Sequence, residues 1–327
     1  MFFNCKISVV IGDKELKTVV SVNTKDDSAH IGSDCEIVVP LNCRIQYTGG
    51  NREYLTEYAK NLFSSGDKVI VRAMYEGFDW VTVFDGYVVD FIEGIPITIK
   101  CTDYVFLLNQ TTVNISEKSI TLKNLANRIL QGTGITLMEP TMDLTLQNIT
   151  FRLMSPAAIF EWLKKELGIN ISLSGTNLYI NVASNTLDTV YYRTDRNVIG
   201  CDLQKPAATY QKHKVKAWFI REDGTKDSFE VGDSNGQLHE VFFYRVKRDQ
   251  TVYQNLAAEA LKKIRQQKYN GSIDTLLYPD CKLFQQANYV DLRYPDRSAN
   301  YVITGIDINI DESGYHRKIK LSFLSEI

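Results

Sequence analysis

The sequence predicts a mainly β protein in which two pseudo-duplicated β-barrel domains flank a small α+β domain. Three observations lead to this prediction. Apolar and polar residues alternate through much of the first and last thirds of the chain, which is typical of half-buried strands. The middle of the chain carries two short amphipathic helices instead. One hairpin pattern also occurs twice, once in the first third and once close to residue 327.

The repeated hairpin is the observation that favours duplication. Its first copy reads VTVFDGYVVDFIEGIPITIKC and its second reads YVITGIDINIDESGYHRKIKLSF, at residues 81–101 and 301–323. In each copy an alternating strand passes a glycine, Gly86 or Gly305, reaches an acidic turn and continues as a second alternating strand. We therefore expect the same module at both ends of the chain, with Gly86 and Gly305 in equivalent places.

The first predicted barrel covers residues 1–107. It begins with the alternating segments NCKISVVIG, KTVVSVNTK and CEIVVPL, and it ends with DKVIVRAMY, WVTVFDGYVVDFI and IPITIKC. Between them a helix is predicted over residues 51–64, ahead of a stop at Gly66. Five residues share one face of that helix: Tyr54, Leu55, Tyr58, Leu62 and Phe63. A closed or nearly closed barrel removes the open edges that so many strands otherwise expose.

The small α+β domain is predicted at residues 108–190. TLKNLANRILQGTG and SPAAIFEWLKKELG are predicted helices. In the second, Ser155 can cap the N-terminus, Pro156 suits the first helical position and Gly168 can adopt the left-handed exit. The predicted buried stripe of this helix is Ala158, Ile159, Trp162, Leu163 and Leu167. The segment INISLSGTNLYINV then predicts a hairpin that turns at residues 174–177.

The second barrel is predicted at residues 191–327. YQKHKVKAWFIREDGTKDSFEV predicts a long hairpin that turns at Asp223 and Gly224. One helix, predicted over residues 251–269, precedes the last strands. The order of strands, one helix, strands and closing hairpin repeats that of the first domain. The helices at 51–64 and 251–269 are therefore expected to correspond.

Composition and charge argue against several classes of function. The formal net charge is −2, from 37 basic and 39 acidic residues, so there is no basic footprint for nucleic acid or an anionic membrane. The N-terminal residues do not resemble a signal peptide, and no stretch approaches the ~20 apolar residues of a membrane helix. The six cysteines include no CxxC pair and are expected to be reduced, mostly buried thiols.

The sequence shows none of the common catalytic motifs. The chain has four histidines, His30, His213, His239 and His316. They stand in no metal-ligand spacing, and His213 is predicted to lie on a solvated strand face. No GxSxG, P-loop or GxGxxG motif is present, and the carboxylates of Asp85, Asp90 and Glu93 flank a hairpin where polar residues are expected anyway. The sequence therefore predicts no enzyme, no cofactor, and no catalytic or metal site.

Several segments resemble the baseplate hub proteins of contractile phage tails, including the late control D type, and the N-terminal hub part of type VI secretion spike proteins. They are FDGYVVDFIEGIPITIKCTDYVFLL, SITLKNLANRILQGTGI, SPAAIFEWLKKELGINISLSGTNLYI, YRTDRNVIGCDLQK and the closing stretch from QQANYVDLRYP to KIKLSFL. The resemblance covers about residues 35–327. It rests on the pattern of elements and glycines and not on catalytic signatures.

The resemblance implies a structural role in a phage tail or a related contractile injection system. Hubs of this family are homotrimers between a six-fold tail tube and a three-fold spike, and two tube-like barrels per subunit give a ring of six. The implied partners are further copies of the chain, the tail tube protein, a separate spike protein and other baseplate proteins. A separate spike is expected because the chain stops directly after the last barrel strand.

The resemblance also implies where the protein works. Nucleic acid is expected to pass only as cargo through the lumen, and no membrane is expected as a partner. The chain is expected to be made in a bacterial cytoplasm and assembled into the virion tail or injection particle.

Two other functions stay open at this point. A distal-tail or tail-tip protein of a non-contractile phage can share the fold, and the presence or absence of a neighbouring sheath gene would distinguish it from a hub. A carbohydrate-binding or carbohydrate-cleaving surface protein would need an export signal and a pair of carboxylates in a cleft. The export signal is missing from the sequence.

Overall fold

The computed structural model describes residues 5–48, 55–138, 143–180, 188–203, 212–221, 223–266 and 270–325. Within these ranges the chain is mostly β, as predicted. The strands of the first third are β1 (Cys5–Ile11), β2 (Lys14–Leu16), β3 (Ser21–Asp27), β4 (Ser33–Val39), β5 (Asn42–Tyr47), β6 (Leu55–Tyr58), β7 (Lys68–Tyr75), β8 (Val81–Ile92) and β9 (Ile97–Thr102).

The middle of the chain contributes shorter strands and three helices. Its strands are β10 (Val113–Thr121), β11 (Thr136–Leu137), β12 (Thr145–Met154), β13 (Ile171–Ser174) and β14 (Asn177–Ile180). Its helices are α1 (Val105–Leu108), α2 (Leu122–Leu130) and α3 (Pro156–Leu167).

The last third returns to strands around one helix, α4 (Gln250–Gln266). Its strands are β15 (Val190–Arg193), β16 (Val198–Cys201), β17 (His213–Ile220), β18 (Lys226–Gly232), β19 (Gln237–Tyr244), β20 (Asn270–Thr275), β21 (Gln286–Val290), β22 (Ala299–Asp311) and β23 (Gly314–Ser325).

One hydrogen-bonded sheet of 15 strands spans the first and last thirds. Its main path runs β16-β20-β23-β22-β3-β4-β9-β8-β7-β1-β2-β5-β6, and β15 and β21 continue it from β22. The two thirds meet where β22 pairs with β3, with Ile310 opposite Val22 and Gly305 opposite Asp27. The two predicted modules are thus joined by strand pairing, although they lie far apart in the sequence.

Each half of this sheet has its own hydrophobic core. In the first half, alternate residues of the strands point inward, and Val69, Val71 and Ala73 of β7 are fully buried. In the second half the core contains the large side chains of Tyr192 and Tyr289. The alternation of apolar and polar residues that predicted the strands therefore also identifies the residues that face the two cores.

An aromatic cluster fastens the last third to the first. Tyr278 stacks on Phe78 with ring centroids 5.0 Å apart, and Tyr75 meets Tyr315 edge-on at 6.3 Å. The Tyr75 hydroxyl also accepts a hydrogen bond from the Leu277 amide at 3.3 Å. The two halves therefore share side-chain contacts as well as strand pairing.

Two of the three helices of the middle region, α2 and α3, form where the sequence predicts them, whereas α1 was not predicted. Thr121 caps α2 by accepting a hydrogen bond from the Asn124 amide at 3.3 Å. Ser155 caps α3 through the Ala158 amide at 3.3 Å, and Gly168 ends that helix in the left-handed region with a φ of 60°. The predicted start and stop signals of α3 are confirmed.

The buried face of α3 is rotated slightly from the predicted stripe. Ala158 is exposed and Trp162 is only half-buried, with its ring edge-on to Phe151. The buried residues are Pro156, Ala157, Ile159, Phe160, Leu163 and Leu167. The predicted hairpin at residues 174–177 is confirmed, because β13 pairs with β14 and Ser174 lies opposite Asn177.

The loop between β3 and β4 docks the middle region onto the first half. Ile31 is buried in the core of the middle region. Its amide donates to Glu161 at 2.8 Å, and its carbonyl accepts from the Leu173 amide at 3.0 Å. Lys164 on α3 donates to the His30 carbonyl at 2.6 Å. This contact explains how an inserted unit keeps a fixed position beside the sheet.

The predicted helix at residues 51–64 is wrong over its described part. Residues 55–58 form β6 instead, with Tyr58 opposite Asn42 of β5, and only a 3-10 turn follows at Ala59–Asn61. The residues 51–54 lie outside the described ranges. Leu55 and Tyr58 are exposed, so no helical face is buried here. Pairing with β5 determines the secondary structure of this segment instead. The predicted correspondence between this helix and α4 is wrong as well.

The segment from β17 to α4 packs against the middle region. β17 pairs with β18 and β19 in a separate three-stranded sheet, and α4 covers it, with Phe219 stacked on Tyr253 at 3.6 Å. Phe219, Phe243 and Leu256 belong to the same buried cluster as Phe160 of α3. The three domain ranges 1–107, 108–190 and 191–327 stay predictions, but this segment does not share the core of the second half.

Both copies of the repeated pattern form hairpins, β8–β9 and β22–β23. A one-residue register shift interrupts the second between Ile303 and Gly305, and the first between Val88 and Asp90. Gly86 lies opposite Val69 of β7. The superposition of the two halves stays a prediction.

Candidate interaction surfaces

His213 is buried, so the prediction that it lies on a solvated face is wrong. On β17 the inward positions are His213, Val215, Ala217 and Phe219, and the lysines between them face outward. The His213 Nδ1 atom lies 2.8 Å from Nε2 of His239 on β19. The two other histidines are exposed, and His316 Nε2 lies 2.9 Å from the Ser313 hydroxyl.

The Asp85 carboxylate takes part in side-chain contacts within the first half. It lies 2.5 Å from the Lys68 ammonium and accepts a hydrogen bond from the Tyr104 hydroxyl at 3.2 Å. The same ammonium lies 3.9 Å from the centroid of the Tyr104 ring, which is a cation–π contact. Asp90 and Glu93 are exposed near the end of the hairpin.

The described residues contain no group of three or more His, Cys, Asp or Glu side chains that could hold a metal ion. None of the helices formed by these residues is long and apolar enough to cross a membrane. All six cysteines are free, and four of them are buried: Cys35, Cys43, Cys101 and Cys281.

A polar cavity of about 90 Å³ lies between the two halves of the large sheet. Asp26 of β3, Phe84 of β8, Tyr315 and Arg317 of β23, and Asp280 are among the residues that line it. Burial is the main cause that raises the pKa of Asp26 to about 7, and the nearby Asp103 carboxylate adds to it. Ionisation of this carboxyl group therefore lowers the free energy of unfolding.

Replacing Asp26 with asparagine is expected to stabilise the protein at pH 8 by at least about 2 kcal/mol. A pKa raised from near 4 to about 7 corresponds to about 4 kcal/mol, at about 1.4 kcal/mol for each tenfold change in proton affinity, and the partial exposure of Asp26 reduces this value. The folded protein binds its proton up to about pH 7, whereas an unfolded aspartate loses it near 4. The free energy of unfolding of the wild type should therefore fall relative to that of Asp26→Asn as the pH rises through this window. Urea unfolding at pH 4.5 and pH 8 measures the difference. A difference between the two proteins that does not change with pH would contradict the expectation.

The first candidate surface is the outer face of the β18-β17-β19 sheet, which we call the aromatic sheet face. β17 and β19 run parallel, with Trp218 beside Phe242 and Ile220 beside Tyr244. Phe242 and Tyr244 are exposed, although large aromatic side chains are normally buried. β19 also lies at the edge of its sheet in the described part of the chain. Such a face is typical of a protein–protein contact.

The second candidate surface is the turn of the β8–β9 hairpin, residues 89–95, which we call the hairpin tip. Val89, Ile92 and Ile95 are exposed here, and 84% of Ile95 is accessible. The tip also carries Asp90 and Glu93, and Lys100 of β9 lies opposite Asp90. The hairpin tip is therefore mainly apolar.

The third candidate surface consists of two adjacent loops of the second half, residues 191–199 and 292–297, which we call the arginine double loop. They carry four arginines, Arg193, Arg196, Arg293 and Arg297, and two aspartates, Asp195 and Asp296. Tyr191, Ile199, Leu292 and Tyr294 are exposed beside them. Aromatic residues and arginine are the types enriched in protein interfaces.

The arginine double loop is held in one shape by hydrogen bonds. Asp291, only 3% exposed, accepts from the Arg293 amide at 2.9 Å and from the Tyr294 amide at 3.0 Å. The Leu292 amide donates to the Thr194 hydroxyl at 3.2 Å, which joins the two loops. A rigid loop loses little conformational entropy on binding, so this surface is preorganised for a partner.

Of these surfaces, only the hairpin with its acidic turn stands out in the sequence, and there as a repeated strand pattern and not as a binding surface. The repeated motifs YRTDR and RYPDR, at residues 192–196 and 293–297, were a signal that could have drawn attention to the double loop. That the two motifs lie side by side depends on the parallel pairing of β15 with β21. No local pattern in the sequence indicates that pairing.

No family model and no curated protein matches the chain. Several solved structures do match it. A tail protein from Neisseria meningitidis MC58 matches with a TM-score of 0.69 and 14% identity, over 98% of this chain and 97% of the other. The 43 kDa tail protein of prophage MuSo2 from Shewanella oneidensis matches with a TM-score of 0.63 and 16% identity, over 97% and 98% of the two chains.

An E. coli protein described as a component of the type VI secretion system, with structural similarity to the T4 bacteriophage tail proteins gp27 and gp5, also matches. Its TM-score is 0.59 at 9% identity, over 99% of this chain and 77% of the other. These matches extend over nearly the whole chain and include both halves of the large sheet and the middle region. The chain therefore has the fold of these phage tail and secretion-system proteins.

Proposed function

We propose that this chain is a structural hub of a phage tail or a related contractile injection particle. In this proposal it works as a homotrimeric ring between a six-fold tail tube and a three-fold spike. The observation that supports it most is the whole-chain likeness to tail proteins and to a type VI secretion component at TM-scores between 0.59 and 0.69. It has no catalytic step of its own.

The direction of the two repeated hairpins is what a six-fold partner would require. The path from β22 through β3, β4 and β9 to β8 contains four antiparallel pairings. β22 and β8 therefore run in the same direction within the sheet, so the turns of both hairpins lie at the same end of their strands. Two similar hairpins per chain give six in a trimer, which reconciles three subunits with a six-fold tube.

A hub also has to leave cargo free to move. Clustered lysines and arginines along a channel would retain the phosphates of nucleic acid. The near-neutral charge of this chain, −2, agrees with a wall that nucleic acid passes without binding. The exposed apolar surfaces agree with contacts to the tube, the spike, other baseplate proteins and further copies of the chain.

The decisive measurement is the number and position of the copies in an assembled particle. We expect three copies on the tail axis, between tube and spike, in a cryo-electron microscopy reconstruction of the purified particle. Six copies, one copy or a position away from the axis would overturn the hub proposal. A hub position in a tail without a sheath would keep the structural role and remove the contractile part of the proposal.

A further inference from the structure

We propose that the turn of the β8–β9 hairpin of one copy of this chain docks against the free edge of β16 of the next copy. The template for this contact is the junction inside one chain, where β22 of the second half pairs with β3 of the first half. The inference rests on the proposed ring and names the strands through which its subunits meet.

The two halves of the large sheet repeat one order of strands. In the first half the order is β3-β4-β9-β8-β7, and in the second half it is β16-β20-β23-β22-β21. Every pairing along both paths is antiparallel. β16 therefore holds the place of β3, and β8 holds the place of β22.

Hydrogen bonds align the two halves residue by residue. Val88 exchanges two backbone hydrogen bonds with residues 66–67, at 2.8 and 2.9 Å. Ile303 exchanges two with residues 284–285, at 2.9 and 3.0 Å. In each hairpin the register shift follows directly after this residue. Val88 and Ile303 therefore form an aligned pair, and this alignment lies four positions from the one that the two glycines of the sequence pattern suggest.

Past the aligned pair, the two hairpins differ in what covers them. Residues 305–310 of β22 pair with β3. Residues 89–92 of β8 have no strand on the side away from β9 in the described part of the chain. β16 is also the end of its sheet among the described residues. One copy therefore presents both members of an unfilled junction, and such open edges are templates for pairing with another chain.

The alignment predicts which residue of the hairpin turn meets the next copy. Within one chain, Ile310 lies opposite Val22 of β3. Ile95 follows Val88 by as many positions as Ile310 follows Ile303, so Ile95 takes the place of Ile310. Ile95 lies in the turn beyond the end of β8, so its contact with the next copy is made by the side chain.

The facing residue on the next copy is Cys201. It pairs with Ile273, which pairs with Ile319 of β23. Val22 reaches Ile99 of β9 through β4 in the same way. Ile99 and Ile319 are equivalent, because each lies two positions before the residue that faces the aligned pair. Cys201 therefore takes the place of Val22.

Exposed apolar side chains lie on both surfaces. The exposed fraction of Ile95 is 84%, and that of Ile199 on β16 is 65%. Within one chain, Val20 and Ile310 line a groove beside the turn of the β22–β23 hairpin. Ile199 and Ile95 would line its counterpart between copies, where they gain free energy by leaving water together.

The contact is compatible with a closed ring. It joins two different surfaces, so it is heterologous and closes when the rotation between copies allows. Because each junction between copies repeats the junction within a chain, all hairpin turns of the ring point the same way. A six-fold tube requires this arrangement.

Chemical crosslinking tests the contact. The variant Ile95→Cys keeps the native Cys201 and is treated with a short bismaleimide, which joins two thiols that lie close together. A second variant carries Ile95→Cys with Cys201→Ser. A matched control, Leu153→Cys, places a thiol in the middle region at a similarly exposed position, where 73% of the residue is accessible. Circular dichroism establishes that each variant is folded, and denaturing gels over a concentration series count the joined chains.

We expect Ile95→Cys to give joined dimers and trimers, whereas the Cys201→Ser variant and Leu153→Cys stay single chains. The reason is that only the first variant has two thiols at the contact. No joined chains at any concentration up to the solubility limit would overturn the inference. The same product in the absence of Cys201 would overturn it as well.

A substitution without thiols gives an independent measurement. Ile199→Asp should lower the self-association constant in sedimentation equilibrium by at least about 10-fold, because the contact would bury a carboxylate without a partner. Leu153→Asp is the matched control and should equal the wild type. Unchanged association in Ile199→Asp contradicts the contact.

The number of joined chains separates this inference from the proposed function. Products that end at three chains agree with both. A ladder that continues beyond three chains keeps the contact and removes the three-fold hub. Three copies on the axis of the particle, without crosslinks between positions 95 and 201, keep the hub and remove the contact.

Discussion

Replacing Gly86 with alanine is expected to destabilise the protein by about 3 kcal/mol, the upper end of the usual cost of overpacking. A Cβ atom at this position would lie 2.3 Å from the Thr102 carbonyl oxygen and 2.8 Å from the Cα of Asp103. Both are backbone atoms of the neighbouring strand β9 and the residue after it, so neither can move without breaking strand pairing. The first half of the sheet has to distort.

Gly305 provides the matched control, because it is the glycine of the second hairpin that the sequence pattern predicts to correspond to Gly86. A Cβ atom there would meet only the Lys320 side chain, at 2.7 Å from Cδ and 3.2 Å from Cγ. That side chain can swing away, at the expense of a partly exposed ion pair with Asp27 that is worth at most about 1 kcal/mol. Gly305→Ala should therefore cost about 1 kcal/mol or less. Urea denaturation of both variants, followed by tryptophan fluorescence, gives the comparison, and equal losses would contradict it.

This pair of glycines illustrates what the sequence could and could not predict. The shared pattern around Gly86 and Gly305 predicted two hairpins, and both are present. The pattern does not explain why a glycine is needed at either position, because that depends on the atoms that a side chain at this position would meet. At Gly86 these are backbone atoms of a paired strand, and at Gly305 they belong to a lysine.

Local signals predicted local structure well. The cap at Ser155 and the left-handed exit at Gly168 fixed the ends of α3, since both depend on residues within a few positions. The helix predicted at residues 51–64 failed because β5 pairs with residues 55–58, and strand pairing overrides a weak helical preference. The same limit applies to the burial of His213 beside His239, which lie 26 positions apart.

The candidate surfaces were less predictable than the fold. Exposure of an isoleucine or a tyrosine cannot be read from a sequence, because alternation says which residues share a face and not which face is covered. Phe242 and Tyr244 have the pattern of an ordinary strand, and only the packing of α4 on the other side of that sheet leaves them outside. The arginine double loop likewise depends on β15 meeting β21, nearly 100 residues later in the chain.

Replacing Arg317 with alanine is expected to destabilise the protein by about 3–5 kcal/mol, because it removes two buried hydrogen bonds from a charged donor, each worth about 1.5–3 kcal/mol. Arg317 is 2% exposed and lies at the cavity between the two halves. Its Nε donates to the Thr275 hydroxyl at 2.8 Å, and its Nη2 donates to the Pro279 carbonyl at 2.8 Å. Truncation removes the donor from both oxygens and enlarges a cavity that already measures about 90 Å³.

A second variant separates these two causes. Arg317→Met restores most of the lost volume but supplies no donor, so Thr275 and Pro279 still lose their hydrogen bonds from this side chain. If packing dominates, methionine should recover most of the stability, because a larger cavity costs about 24 cal/mol per Å³. If hydrogen bonding dominates, methionine and alanine should be similar. Lys318→Ala, an exposed neighbour on the same strand, should change the free energy of unfolding by less than about 0.5 kcal/mol. A loss in Arg317→Ala no larger than that of Lys318→Ala would show that the buried guanidinium contributes no more to stability than an exposed lysine.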